Sequence, residues 1–148
     1  MIIPGVSLLL YAHDTRAPWH AEARAWWERT LNSASPAGLT WITILRFIRI
    51  SIHRRALAAP ISPAEAIRRV RSWLACPQVQ IISPGERHQE ILFNLLIDLG
   101  TAGNLTTNAH LAALAIEHRG EVASADTDFG RFPGLRWFSP LRPAARKR

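Results

Sequence analysis

The sequence has one cysteine and no long apolar run. Cys76 alone forms neither an internal disulfide nor a tetrahedral thiolate metal site, which excludes disulfide scaffolds and zinc ribbons. Apolar runs such as residues 8–10 are far shorter than the roughly 20 residues that a membrane-spanning helix needs. The N-terminus also lacks the basic region and long apolar stretch of a secretion signal. We therefore expect a cytoplasmic protein without membrane contacts.

Acidic residues are scarce as well. The chain has 11 acidic and 18 basic residues, a formal net charge of +7 and a pI near 11.3. Lys147 is the only lysine, so the positive charge is nearly all arginine. This excess favours a polyanionic partner such as nucleic acid. A solvated basic surface without such a partner is the alternative, and composition does not distinguish the two.

The pattern of apolar residues predicts one alternating α/β unit. The 148 residues are enough for a single core, and we expect one domain over residues 1–141 with a disordered basic tail over 142–148. Residues 33–38 are interpreted as a break, and Ser7, Ser62 and Thr106 or Thr107 as helix caps. Hydrophobic periodicity predicts helices over 7–13, 17–32, 40–52, 62–75, 88–99 and 109–118, and strands over 1–4, 79–82, 121–125 and 135–138. This order predicts a mostly parallel sheet with helices on both faces.

Two of the four aspartates directly follow a predicted strand. Asp126 and Asp128 come after the strand predicted over residues 121–125. Sites in parallel sheets form at the carboxyl ends of the strands, so these carboxylates are candidates for catalysis or metal binding. Aspartate also caps turns through its own side chain, and that structural role is the alternative.

Several segments, taken in order, form a pattern that covers almost the whole chain. They are residues 2–13 (IIPGVSLLLYAH), 47–50 (FIRI), 103–115 (GNLTTNAHLAALA), 123–129 (ASADTDF) and 132–137 (FPGLRW). Their sequence and spacing resemble PIN-domain toxins of the VapC type. The resemblance implies a PIN-like three-layer α/β/α fold.

The resemblance also implies a function. VapC toxins are magnesium- or manganese-dependent endoribonucleases, and each is the toxin half of a toxin-antitoxin pair. Their acids cluster because hard divalent cations prefer carboxylate oxygens and because a bound metal lowers the pKa of its water. The partners implied are a cognate VapB-like antitoxin, an RNA substrate and a second copy in a homodimer. Operator DNA would be contacted only through the antitoxin.

The acidic positions of the family are only partly acidic in this sequence. Gly5 and Asn108 stand where the family has its first and third aspartates, Ser7 stands where it has asparagine, and the position of the second acid falls on Arg46. The resemblance assigns catalysis and metal binding to four positions: Gly5, Asn108, Asp126 and Asp128. Only the last two carry a carboxylate.

A site in which Gly5, Arg46 and Asn108 stand in place of acids is expected to be impaired. Replacing an ionised ligand by glycine removes both a donor and a negative charge, so we expect weak magnesium binding and slow RNA cleavage. The alternative is a non-catalytic PIN-fold module that holds the antitoxin, with or without RNA, and cleaves nothing. Natural decay and selection of inactive copies during cloning both remain open as the origin of Gly5, Ser7 and Asn108. A DNA-binding regulator is disfavoured, because no helix-turn-helix spacing is present.

Other residues have weaker functional interpretations. His110 is interpreted as a packed or RNA-contacting residue rather than a ligand, while Thr106 and Ser124 could orient ligands or simply cap. Trp26 and Trp27 are adjacent, so a helix cannot bury both on one narrow face, and one of them is a candidate for an antitoxin groove formed by the early helices. The arginines expected around a site for RNA phosphate or acidic antitoxin residues are Arg16, Arg24, Arg29, Arg54, Arg55, Arg68, Arg69 and Arg71.

Overall fold

A single parallel sheet forms the centre of the molecule. The computed structural model describes residues 1–53, 60–100 and 103–141. In these ranges five strands lie in the order β3-β2-β1-β4-β5, and every neighbouring pair is parallel. The strands are β1 (Ile2–Pro4), β2 (Ala37–Leu39), β3 (Val79–Ile81), β4 (Glu121–Ala123) and β5 (Arg136–Phe138). The predicted parallel sheet is confirmed.

The described residues form six α-helices around this sheet. They are α1 (Val6–His13), α2 (His20–Leu31), α3 (Trp41–Ser51), α4 (Pro63–Leu74), α5 (His88–Leu99) and α6 (Thr106–Glu117). The Ser62 hydroxyl accepts a hydrogen bond from the Glu65 amide at 3.1 Å, as its predicted cap role requires. Thr40 caps α3 in the same way through the Thr43 amide, at 3.2 Å. Over the described ranges, none of these helices has the length and apolar character needed to cross a membrane.

The helices divide into two layers, one on each face of the sheet. Helices α1 to α4 pack on one face around Leu39 and Ala123, in a cluster rich in aromatic side chains. Helices α5 and α6 pack on the other face around Ile3 and Val122, in a mainly aliphatic cluster. The three-layer α/β/α architecture expected from the resemblance is therefore present.

Strand β2 corrects the interpretation of residues 33–38 as a simple break. All three residues of β2 are buried between β1 and β3, so the strand shows none of the alternation by which a half-exposed strand is recognised. Gly38 is closely packed: a Cβ there would lie 2.8 Å from the sulfur of Met1 and 3.3 Å from a side-chain carbon of Ile82, so these side chains would have to shift. Gly38, which suggested the end of a helix in the sequence, therefore lies inside the sheet.

Three helix starts also differ from prediction. Helix α1 begins at Val6 directly after the N-cap Gly5, so Ser7 lies within the helix and does not cap it. Helix α2 begins at His20, because Trp19 has a left-handed φ of 69° that prevents extension back to residue 17. Helix α6 begins at Thr106 instead of 109, and no side chain caps it. The predictions for Arg54, Arg55 and residues 142–148 lie outside the described residues.

Phe47 anchors the aromatic layer. Its side chain is fully buried, and its ring contacts Trp73 edge-on with centroids 4.8 Å apart. Trp73 in turn contacts Trp27, with centroids 5.8 Å apart. Helices α2, α3 and α4 are therefore joined by one run of aromatic contacts.

We expect Phe47→Ala to lower the free energy of unfolding by about 3–5 kcal/mol, since it leaves a cavity among buried rings. Leu45→Ala is the matched control on the same helix, because Leu45 is 60% exposed and its truncation should change stability by less than about 0.5 kcal/mol. Denaturant unfolding followed by far-UV circular dichroism measures both. Equal effects of the two substitutions would show that Phe47 does not anchor this layer.

A polar cluster joins α5 to α6 on the opposite face. The Nε2 atom of buried His88 lies 3.1 Å from Nδ1 of His110, and burial lowers the pKa of both imidazoles. The Glu117 carboxylate at the end of α6 accepts hydrogen bonds from the Gly85 and Arg87 amides at 2.8 and 3.0 Å. These backbone hydrogen bonds, the one from Gly85 first, lower the pKa of Glu117.

These pKa shifts predict two separate losses of stability on acidification. In the folded protein His88 and His110 have a pKa below the ordinary value of 6.5, so the unfolded chain binds protons more readily. The free energy of unfolding should therefore fall as the pH drops below 6.5. Glu117 stabilises the fold above its ordinary pKa of 4.5, and this contribution should be lost at lower pH. Glu117→Gln should therefore flatten the profile below about pH 4.5. Unfolding midpoints across the pH range test this, and a Glu117→Gln profile that flattens only near pH 6 would contradict it.

Candidate functional site

A cavity opens at the carboxyl ends of β1 and β4. Its volume is about 120 Å³. Gly5 follows β1 and Ser124 follows β4, so adjacent parallel strands deliver both residues to the same edge of the sheet. The lining residues are Gly5, Val6, Ser7, Ile42, Thr43, Arg46, Thr107, Asn108, Leu111, Ser124, Asp126 and Phe129.

Three helices begin at this cavity. Ser7, Thr43 and Asn108 lie in the first turns of α1, α3 and α6, and all three line the cavity. The first turn of a helix leaves backbone N–H groups without intrahelical partners and carries a partial positive charge. The backbone around the cavity therefore favours negative charge.

Gly5 joins β1 to α1 at the floor of the cavity. Its amide donates to the Ala123 carbonyl at 2.8 Å, and its φ of −80° and ψ of 163° are extended values that any residue adopts. A Cβ at this position would lie 3.1 Å from the Ser124 hydroxyl, which would have to shift by a few tenths of an ångström. The backbone at position 5 is thus compatible with an aspartate.

Asp126 and Asn108 are hydrogen-bonded to each other. The Asn108 amide donates to one carboxylate oxygen of Asp126 at 3.0 Å, and the Asp128 backbone amide donates to the other at 2.9 Å. Asp126 thereby caps the short 3₁₀ helix Thr127–Arg131, while its own amide donates to the Ser124 hydroxyl at 3.0 Å. Both oxygens of Asp126 already have partners, so the capping role that the sequence left open is present.

Other candidate residues do not line the cavity. Asp128 does not line it, and its carboxylate is 3.8 Å from the Arg131 guanidinium. Thr106 is exposed and donates to the Gly103 carbonyl, and His110 pairs with His88. The structure therefore brings together Gly5, Ser7, Arg46, Asn108, Ser124 and Asp126, and it leaves Thr106, His110 and Asp128 outside.

The chain matches known proteins over most of its length. The PIN domain profile matches residues 6–135. Ribonuclease VapC33 of Mycobacterium tuberculosis is 49% identical over 142 residues, which are 96% of this chain and 99% of that protein. Ribonuclease VapC37 of the same species is 39% identical over 140 residues, 95% and 97% of the two chains. The chain belongs to the VapC family of PIN-domain proteins.

Solved structures with VapC proteins share this fold at low sequence identity. A structure of VapBC2 from Rickettsia felis bound to a DNA fragment from their promoter matches with a TM-score of 0.68 and 15% identity, covering 94% of this chain and 98% of that one. Mycobacterium tuberculosis VapC20, described as a sarcin-ricin loop cleaving toxin, matches with a TM-score of 0.66 and 13% identity, covering 92% and 99%. At such identities the likeness shows the fold, which is the PIN fold expected from the sequence.

The cavity of this VapC protein fits a divalent metal poorly. Magnesium in proteins is usually held by one or two carboxylates together with waters, and the lining offers a single carboxylate, Asp126, whose oxygens already accept two hydrogen bonds. Arg46 adds a positive charge to the same lining. Among the residues that the structure describes, no three His, Cys, Asp or Glu side chains are grouped to hold a metal ion. No catalytic step through magnesium follows from this arrangement.

Four residues that line the VapC cavity have no functional signal in the sequence. Ile42 and Thr43 line the cavity because α3 begins there, and Leu111 and Phe129 complete its apolar wall. The helix was predicted over residues 40–52, and recognising β2 would have placed its start at the carboxyl edge of the sheet, since Thr40 follows that strand directly. Because β2 is buried on both faces, its sequence lacks the alternating pattern by which a strand is recognised.

Asn108→Asp should place a second carboxylate within hydrogen-bond distance of Asp126. We expect a loss of stability on the order of 1 kcal/mol at neutral pH, because two like charges would lie where the amide now donates. Acidification or added magnesium should recover part of the loss. Denaturant unfolding with and without magnesium measures it, with Asn94→Asp on the exposed face of α5 as the control. An Asn108→Asp variant as stable as the parent in chelator would contradict this reading of the pair.

Proposed function

We propose that this chain is the toxin component of a VapC-type toxin-antitoxin pair whose endoribonuclease activity is impaired. The full-length similarity to proteins named VapC ribonucleases supports the toxin assignment. The proposed impairment rests on the lining of the cavity. Gly5, Arg46 and Asn108 occupy the expected acidic positions there, and Asp126 is the remaining carboxylate. Residues 1–141 would form the single PIN domain, acting in the cytoplasm.

The residues at the cavity support binding better than catalysis. An intact member of the family would use clustered carboxylates to hold magnesium or manganese and activate water. Here Asp126 accepts one hydrogen bond from Asn108 and one from the Asp128 amide, so part of its acceptor capacity is used to orient the turn after β4. The Ser124 hydroxyl supports the same turn by accepting from the Asp126 amide. Asp128, the other acid assigned to metal binding, would have to leave Arg131 and turn toward the cavity.

The partner proposed for this chain is a VapB-like antitoxin. The structural neighbours include a toxin-antitoxin complex from Klebsiella pneumoniae, which supports a partner of this kind. A hollow of about 340 Å³ beside α2 is lined by Trp26 and Arg29, which suits an antitoxin segment with apolar and acidic side chains. Trp26 and Trp27 are both buried, with exposed fractions of 8% and 4%, so the expectation that α2 cannot bury both is wrong. Trp26 is nevertheless the one of the two that lines this hollow. Operator DNA would be reached through the antitoxin.

A homodimer is also proposed from the family resemblance. Exposed apolar side chains one turn apart, Phe93 and Ile97 on α5 and Trp41 and Leu45 on α3, are surfaces that a second copy could cover. The RNA substrate is proposed from the family and from the excess of arginine, and its sequence is not specified by any feature of the cavity.

A second candidate is a PIN-fold module that binds the antitoxin and RNA without cleaving. The observation that favours it is Arg46, whose guanidinium lines the cavity beside the remaining carboxylate and would repel a dication. The two candidates differ in whether the scaffold recovers activity when the acids are restored.

The test is RNA cleavage by the parent chain and by the Gly5→Asp, Asn108→Asp double variant, each with magnesium, with manganese and with chelator. We expect weak or absent cleavage by the parent and metal-dependent cleavage by the double variant, because the variant regains two ionised oxygen ligands. Magnesium titration by calorimetry should show at least tenfold tighter binding by the double variant.

Asn94→Asp adds one carboxylate far from the cavity and serves as the control for altered net charge. Cleavage by neither protein would favour the non-catalytic module. Tight magnesium binding and metal-dependent cleavage by the parent would overturn the proposed impairment.

A further inference from the structure

The excess positive charge of this protein is concentrated in residues 142–148. This basic tail follows the described part of the chain and holds four basic side chains and no acidic one: Arg142, Arg146, Lys147 and Arg148. The rest of the chain has 14 basic and 11 acidic residues, so its formal net charge is +3, compared with +7 for the whole. The attraction for a polyanion that the composition indicates therefore comes mainly from the basic tail.

The chain enters the basic tail at the edge of the sheet where the cavity opens. Strand β5 is parallel to the other strands, so its carboxyl end lies at the same edge as those of β1 and β4. At this edge the amide of Ser124, a residue that lines the cavity, donates to the Phe138 carbonyl at 3.0 Å. The end of β5 is therefore next to the cavity.

Leu141 fixes the point at which the basic tail begins. Its side chain is buried and belongs to the cluster that contains Leu8, Leu9 and Ala123. Strand β5 is two strands away from β1, a distance of about 10 Å, whereas seven extended residues span up to about 25 Å. The basic tail is therefore long enough for its cations to reach a nucleic-acid strand that lies across the cavity.

The side chains of the basic tail suit a phosphate backbone better than a groove on a protein. Besides its four cations, the tail contains only Pro143, Ala144 and Ala145. The centres of protein–protein interfaces are depleted in charge and depend on large apolar or aromatic anchors, which this segment lacks. A phosphate backbone binds arginine and lysine through their charge, with release of condensed counterions.

We propose that residues 142–148 bind the phosphate backbone of RNA beside the cavity and supply most of the electrostatic attraction of this chain for RNA. The proposal rests on the proposed function, from which the RNA partner is taken. It adds an element beyond the match to the PIN domain profile, which ends at residue 135. RNA is bound through the basic tail whether or not the cavity can cleave it.

The experiment measures binding of a short labelled oligoribonucleotide to the full chain in chelator, over a series of salt concentrations. The tail variant keeps the full length and replaces the four cations by glutamine: Arg142→Gln, Arg146→Gln, Lys147→Gln and Arg148→Gln. We expect its affinity at low salt to fall at least about tenfold. The slope of log K against log salt should fall in magnitude by about 2–3, because each neutralised phosphate of a single strand contributes about 0.7.

The matched control removes four charges from exposed positions of the described chain: Arg16→Gln, Arg29→Gln, Arg71→Gln and Arg119→Gln. None of these residues lines the cavity. The control has the same net charge as the tail variant, and it should weaken RNA binding less than about threefold, because salt screens charges that are distant from the RNA. Equal weakening by the two variants would show that net charge alone attracts RNA, which would overturn the proposal. Far-UV circular dichroism confirms that both variants are folded.

A poly-glutamate probe distinguishes RNA from an acidic protein segment as the partner. Loss of poly-glutamate binding by the tail variant, with unchanged RNA binding, would assign the basic tail to a protein partner and overturn the proposal. Cleavage by the Gly5→Asp, Asn108→Asp double variant reports on the proposed function separately, since binding in chelator does not depend on it. A tail variant that binds RNA like the parent would overturn the role of the tail alone, and an inactive double variant would overturn the toxin activity alone.

Discussion

The parallel direction of all five strands is the constraint on which the rest of this structure depends. Parallel neighbours cannot be joined by tight turns, so each connection must cross a face of the sheet and bring the chain back to the same edge. These crossings carry the helices that bury the sheet on both sides. They also gather the carboxyl ends of β1 and β4, together with the starts of α1, α3 and α6, around one cavity. The position of the cavity is therefore determined by the topology of the sheet and does not depend on which side chains line it.

Much of this arrangement could be predicted from the sequence because its signals are local. The cap of α4 is formed by Ser62 in the predicted way, and the strand over Val79–Ile81 lies between the prolines that bound it. What could not be predicted depends on tertiary contacts. Strand β2 is recognisable only from its burial between neighbouring strands. Trp19 has a left-handed backbone conformation that shifts the start of α2, and no sequence rule predicts that conformation for tryptophan.

The candidate site shows the same division. Gly5, Asn108 and Asp126 line one cavity, because strand ends and helix starts fix their positions. The hydrogen bonds that decide their chemistry could not be predicted. Asp126 is occupied by its own turn, Asp128 lies beside Arg131, and Arg46 extends into the cavity without a partner. A motif identifies which residues come together, whereas the hydrogen bonds and ion pairs that these residues form depend on the folded structure.

The extended backbone at Gly5 has a consequence for how such a protein changes over generations. Neither its φ and ψ nor its hydrogen bond to Ala123 requires glycine, so the backbone conformation does not select the identity of this residue. Only selection for activity would retain an aspartate at such a position. In a lineage released from that selection, the acids are the residues that drift first, while the buried strands and the aromatic layer are kept by the need to fold. A PIN scaffold can therefore outlast the chemistry for which it was selected.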